Sequence, residues 1–354
     1  MCHLAGYIGN QKAVSVILDS LKIQEPIIGA QATGLAVLKK GKIIFEKDIG
    51  PLQSFEKKHS LSSINSKIAI GHTRFAIKSI NKAETNTKAK AHPFISTDKS
   101  FVTMHNGTIF NDQVFIEQLE AKGYTFRSKT QFFDKEKDEL VTDYTDSELF
   151  TYRLEEKIEQ TSNIKQAIKK ACEELEGHFA FVVLHVDHPN KLFIANWMQP
   201  LYIAYSEYCS YFCSFKIGYE IITHDMPWKI KPPFNSLITI TPGKISLEPL
   251  LPNRKKPEYT PDKVVLEFLI KEAIKEGNHS IAEIWLYFNE HCQELGFGKE
   301  EWSELSKING FTFSPIIYDE LKRLVHEDKL VQKLEYVYEG GQEDIPRYNF
   351  YLRG

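Results

Sequence analysis

The chain has 354 residues, 42% of them apolar, and a formal net charge of −3, enough length and apolar content for a sizeable core split into two domains. That charge argues against an overall electrostatic pull on nucleic acid or acidic membranes, and no stretch reaches the apolar length of a membrane span. Polar residues interrupt the region after Met1, so no signal peptide is expected, and five cysteines scattered along a long chain suit a reducing cytoplasm better than a disulfide framework.

Leu4 to Ile8 reads as a short strand with Cys2 at its start, and Val14, Ile17, Leu18 and Leu21 follow at helical spacing. Apolar runs on both sides of Lys39-Lys-Gly41 predict a hairpin. Ile68 to Ile70 leads into Gly71-His-Thr-Arg74-Phe75, and a polar loop then reaches Ala91-His92-Pro93. Phe101 to Met104 is a strand that delivers His105-Asn106-Gly107. Asn111 is the expected N-cap of the next helix. The charged run from Lys129 to Asp143 reads as a solvated loop, and Thr145-Asp146-Ser-Glu148 opens a helix with acidic residues in its first turn. Asn163 caps another helix. From Phe179 to Ile240 the pattern is β, and strands, helices and then strands again suit α+β layers better than βαβ units. Cys209 and Cys213 have no second pair to complete a zinc site and are expected as buried thiols.

Four of the 15 prolines fall between Pro249 and Pro261 beside Arg254-Lys-Lys256, a linker composition. Three helical segments follow, at Asp262–Glu276, Ser280–Glu294 and Ser314–Asp328. A β-hairpin through Gly340-Gly341 completes the order of a winged helix. Residues 255–354 hold 13 Lys and Arg against 19 Asp and Glu, the wrong sign for phosphate neutralisation, so protein contact is expected there rather than DNA. Its apolar residues, among them Ile281, Trp285, Phe288 and Phe313, predict docking on protein, either this chain or a partner, with a simple small-domain core as the competing expectation.

Each polar motif has an ordinary reading alone: a strand end with one arginine, an Asn-Gly turn, a helix cap. Together they hold what hydrolysis of a glutamine side-chain amide needs. Cys2 becomes N-terminal once Met1 is removed, and its α-amine, with an ordinary pKa of about 7.7–8.0, takes the thiol proton. Arg74 suits an α-carboxylate and Asp146 the substrate ammonium, while Asn106 and Gly107 suit the oxyanion.

These residues, in this order, resemble the class II glutamine amidotransferase domain of the N-terminal-nucleophile hydrolases, most closely the glutaminase domain of glucosamine-6-phosphate synthase. Ala91-His-Pro93, Leu175-Glu-Gly-His-Phe-Ala180 and Ala195-Asn-Trp-Met-Gln-Pro-Leu201 carry the likeness further, to about residue 250. The resemblance implies a four-layer αββα sandwich. It also implies Cys2 as nucleophile and base, Asn106 and Gly107 as oxyanion hole, and Arg74, Asp146, Phe75 and His92 as the glutamine site, with neither metal nor cofactor. The expected organisation is an amidotransferase domain at 2–248, a linker at 249–261 and a winged-helix-like domain at 262–354. The sequence departs from the family at His3, where glycine is usual, and at Arg74-Phe-Ala-Ile-Lys78, where the family has Arg-Trp-Ala-Thr-His. No ATP, phosphoribosyl-pyrophosphate or sugar-isomerase signature follows. Three readings therefore stand: a cytoplasmic glutaminase passing ammonia to a separate acceptor protein or to solvent, a non-enzymatic glutamine sensor or scaffold, and an amidohydrolase of another γ-glutamyl compound. A homo-oligomer remains open.

Overall fold

The structure, a computed structural model, describes residues 2–60, 64–75, 85–134, 138–161 and 163–354. The departures at Ile77 and Lys78, and the removal of Met1, lie outside the described residues.

The chain opens with β1 (His3–Ile8) and α1 (Ala13–Gln24), followed by β2 (Ala32–Lys39), β3 (Lys42–Ile49), α2 (Leu52–Lys58) and β4 (Ile68–Arg74). Next come β5 (Phe94–Ile95), β6 (Phe101–Ile109), α3 (Asp112–Ala121), β7 (Thr130–Asp134), β8 (Glu139–Asp143), α4 (Asp146–Gln160) and α5 (Ile164–Cys172). The β-rich stretch holds β9 (Gly177–His185), β10 (Leu192–Trp197), β11 (Tyr202–Tyr205), β12 (Ser210–Cys213), α6 (Lys216–Ile222), β13 (Trp228–Ile230), β14 (Asn235–Thr241) and β15 (Lys244–Glu248). The chain closes with α7 (Lys263–Lys275), α8 (Ile281–Glu290), α9 (Lys299–Ser303), α10 (Ser314–His326), β16 (Leu330–Glu339) and β17 (Gln342–Leu352).

Two antiparallel sheets form the centre, ordered β13-β11-β12-β1-β4-β2-β3 and β15-β14-β10-β9-β6-β5. The two-residue period of a strand explains their stacking. Leu4 and Ile8 of β1 meet Val102 and Met104 of β6 and Val182 and Leu184 of β9 in the core between the sheets. Ala5 and Tyr7, on the other face of β1, pack against Val14, Ile17 and Leu21 of α1. Phe179, Phe181 and Val183, on the other face of β9, pack under α3, α4 and α5. The result is four layers, α-β-β-α, the α+β sandwich that the motifs imply.

The charged run after Lys129 is not a loop. Thr130–Asp134 and Glu139–Asp143 pair as a hairpin, in which Phe133 and Leu140 stay exposed. Asn111 precedes α3 without capping it. Its side chain instead spans the 174–176 loop, donating to Glu174 O (2.8 Å) and accepting from Glu176 N (2.9 Å). Asn163 does cap α5, accepting from Lys165 N and Gln166 N, and Cys209 and Cys213 are free and buried. No helix among the described residues is long and apolar enough to cross a membrane.

The C-terminal helices start at strong caps: Asp262 accepts from Val264 N and Val265 N, and Ser280 forms a capping box with Glu283. Their apolar faces join the same core cluster that lies under α3–α5, in which Ile281, Phe288 and Phe313 are buried. Tyr318 of α10 meets Phe215 edge-on at 5.6 Å. Arg254 bridges Leu175 O (2.6 Å) and Ile308 O (2.7 Å) with its guanidinium over Trp197, and Leu251 is anchored to Asn235 by two 2.8 Å bonds. The proline-rich stretch is thus fastened down at Leu251 and Arg254, and Ile281, Phe288 and Phe313 are covered by this chain itself, while Val264, Phe268, Tyr336 and Tyr338 stay exposed.

Candidate active site

β1 lies between β12 and β4 in its sheet, with His3 opposite Thr73. That register sets Cys2, just before β1, beside Phe75, just after β4. The Phe75 N–H donates to Sγ at 3.3 Å and the thiol donates back to Phe75 O at 3.4 Å. From the facing sheet, Asn106 of β6 donates to Cys2 O (2.8 Å) and to Ser214 Oγ (2.8 Å). His3 is fully buried rather than solvent-facing. Its Nδ1 lies 2.7 Å from Thr73 Oγ1 and its ring 5.4 Å from Phe215.

A cavity of about 480 Å³ opens at the thiol, and Cys2, Arg74, Phe75, His92, Gly107 and Asp146 all line it. Asn106 does not; both N–H of its amide point to Cys2 O and Ser214. Asp146, the first residue of α4, accepts from Ile109 N (2.9 Å) and is approached by the Ser147 hydroxyl (3.3 Å), which fixes its carboxylate at the end of β6. Gly107 has φ +128°, and a Cβ there would stand 2.0 Å from His178 O. Only glycine fits, so the backbone itself forms this wall.

Burial raises the Cys2 thiol above its ordinary pKa, partly opposed by the Phe75 N–H and the nearby Arg74. At neutral pH the thiol holds its proton until a base takes it. Burial also lowers Arg74, against the pull of Cys2, Asp146 and Asp143, but a guanidinium stays charged. The cavity thus sets the Arg74 guanidinium and the carboxylates of Asp112, Asp143 and Asp146 around the Cys2 thiol.

A stack of neutral histidines closes one side. His72 Nε2 lies 2.9 Å from His105 O, and the His92 ring lies 3.9 Å from His72. His105 Nδ1 lies 3.0 Å from Ser147 Oγ. Desolvation lowers His72 and His105 to about 3 and His92 well below 6.5, so His92 presents a neutral ring to the cavity.

The sequence motifs did not mark the opposite wall, which Ile281, Ala282 and Trp285 of α8, Thr312 and Ser314 provide. In sequence, Ile281 and Trp285 predict docking on protein but not on which surface. Their meeting with Cys2 is set by tertiary packing.

A family described as a glutamine amidotransferase domain matches residues 72–216. The chain is 34% identical over 203 residues to the glutamine--fructose-6-phosphate aminotransferase [isomerizing] of Pyrococcus horikoshii, covering 57% of this chain and 30% of that protein. It is 31% identical over 207 residues to the protein of the same description from Chlamydia muridarum, covering 58% and 30%. The chain therefore spans less than a third of the length of these relatives. A glutamine phosphoribosylpyrophosphate amidotransferase from B. subtilis, solved with ADP and GMP, shares the fold at TM-score 0.56 and 18% identity, over 78% of this chain and 58% of that one. A second structure, described as the allosteric regulatory enzyme of purine biosynthesis, does so at TM-score 0.57 with the same identity and coverage. Residues 72–216 thus match a glutamine amidotransferase domain, and they lie within αββα layers in which a thiol stands at the head of a central strand.

Proposed function

We propose that the chain hydrolyses the side-chain amide of glutamine to glutamate and ammonia, and that the ammonia passes to a separate acceptor protein or to solvent. One observation carries this reading: the Cys2 thiol, Arg74, Asp146 and Gly107 all face a single cavity.

Arg74 pairs with the α-carboxylate through a bidentate fork, and Asp146 takes the α-ammonium, which sets the side-chain amide at Sγ. After removal of residue 1, the α-amine of Cys2 accepts the thiol proton directly or through one water. The thiolate adds to the amide carbon, and its electron pair moves to oxygen. The Gly107 N–H and the Asn106 amide are the proposed oxyanion donors; at rest the Asn106 amide holds the Cys2 carbonyl and Ser214, so it must turn one N–H from these partners to the oxyanion. The protonated amine gives its proton to the leaving nitrogen, the C–N bond breaks and ammonia departs. Water then attacks the γ-glutamyl thioester, with the same amine as base, to release glutamate and the thiol.

The domain match favours chemistry over sensing, because the proposed nucleophile and both proposed charged anchors line one cavity. The test is ammonia release from glutamine by protein whose intact mass shows that it begins at Cys2, beside Cys2→Ala. Turnover by the first and binding without turnover by the second are expected. Glutamine binding with no ammonia from either would establish the sensor reading, and turnover restricted to another γ-glutamyl amide would establish the third.

A further inference from the structure

Arg74 is tied to the far end of the chain through Asn86. Asn86 is buried, at 7% exposure. Its Oδ1 stands 3.5 Å from Arg74 Nη1, and its Nδ2 donates to Gln31 O (3.0 Å) and to Gly340 O (3.1 Å). Chemistry fixes the orientation of this amide, because a guanidinium only donates and backbone carbonyls only accept. Flipped, it would face all three neighbours with the wrong group. Gln31 N donates to Arg74 O at 2.8 Å, and Gln31 Nε2 donates to Glu339 Oε2 at 3.1 Å. Glu339 is in a buried ion pair with Arg347. Arg347 in turn donates to Ile28 O (3.1 Å) and lies over the Phe75 ring. The backbone of Arg74 is thus held by Gln31 and its head by Asn86, and both holders are fastened to the turn between β16 and β17.

We propose that Asn86 is a positioning residue for α-carboxylate recognition, acting through Arg74 and linking that grip to the C-terminal hairpin. This rests on the glutamine reading given above. A guanidinium has five N–H groups. Asn86 engages one edge and leaves a fork free for a bidentate carboxylate. Without Asn86 the long side chain regains rotamer freedom, and ordering it becomes a cost of binding. The loss falls on KM. Aspartate at the same position is worse, although it is isosteric. It competes with the substrate for Arg74, and it sets a carboxylate oxygen against Gln31 O and Gly340 O.

The test measures kcat and KM of the full chain for glutamine and for 4-aminobutanamide, which is glutamine without its α-carboxylate. The variants are Asn86→Ala, Asn86→Asp, Arg74→Ala and the double variant Arg74→Ala/Asn86→Ala. Asn86→Ala should raise KM for glutamine about tenfold with kcat within about twofold, and Asn86→Asp should raise it further. Neither should change kcat/KM for 4-aminobutanamide by more than about twofold, and the double variant should match Arg74→Ala. Equal losses on both substrates, or a further loss in the double variant, would reduce Asn86 to a structural part and overturn the proposal, as would an unchanged KM. If the wild type releases no ammonia from glutamine, the function itself fails and takes this inference with it. If the wild type is active but the Asn86 pattern is missing, only this inference falls.

Discussion

Gly107→Ala should damage both the fold and the chemistry, for reasons that can be separated. The new Cβ would stand 2.0 Å from His178 O, 2.8 Å from His178 C and 2.8 Å from Phe179 Cα. All three are backbone atoms of the neighbouring strand, so no side chain can swing aside. Relief requires β6 and β9 to part where Gly107 pairs with Phe179. Overpacking of this kind costs about 1–3 kcal/mol, and a non-glycine residue in a sparsely populated backbone region about 1–3 kcal/mol more. Together that is a substantial share of the roughly 5–15 kcal/mol that holds a typical domain. Gly123→Ala is the control, since Gly123 has φ +92° with nothing within 4 Å of a Cβ; it carries strain without the clash. The urea midpoint should fall in both variants and further in Gly107→Ala. kcat on glutamine should drop by about 10²–10³ only in Gly107→Ala, as for loss of an oxyanion donor. Equal midpoints in the two variants, with kcat for Gly107→Ala near wild type, would show that the strand pair yields easily and that the Gly107 backbone takes no part in the reaction.

Arg74→Ala and Asp146→Ala should each lower kcat/KM for glutamine by about 10–150-fold, the worth of a charge-assisted hydrogen bond. Steady-state kinetics that match wild type in both would remove these residues from substrate binding. Glu25→Gln should alter how stability depends on pH. Burial raises the Glu25 carboxyl from 4.5 to about 8, despite the Leu52 N–H it accepts at 2.8 Å. The folded state therefore keeps a proton that the unfolded chain gives up, and stability declines as pH rises from about 4.5 through 8. In thermal melts across that window the wild-type Tm should fall more steeply than that of Glu25→Gln; parallel curves would mean the carboxyl ionises freely.

Strand alternation made the layered centre legible. In β1 and β9, apolar residues on both faces already say that the strand is covered from two sides. The grouping of Cys2, Arg74, Gly107 and Asp146 around one cavity was legible for a different reason: they sit at or near ends of regular elements, where motif order survives folding. His3 was not legible, because its partner Thr73 is a neighbour only once β1 is known to pair with β4. Residues 130–143 misled because their charges obscure the partial alternation of the hairpin. Asn111 has a side chain suited to a cap, yet the 174–176 loop arrives in space and outcompetes the helix for it. Trp285 and Ser314 carried no sign of lining the cavity, since nothing near them in sequence says which surface they meet.

That shared wall limits what recombination can do with this chain. A module that only tethers a neighbour can be exchanged at its connecting segment, and the catalytic unit works on. Here the residues around α8 complete the chamber over Cys2, and the hairpin turn holds the support of Arg74. A graft that replaced residues 262–354 with another fold would leave the Cys2 thiol in place but would unroof its pocket and remove the hairpin contact to Asn86 beside Arg74. Changes in the two parts of the chain are therefore bound to accumulate as matched sets, and a chimera would regain activity only when Asn86, Gln31 and the incoming turn were chosen together.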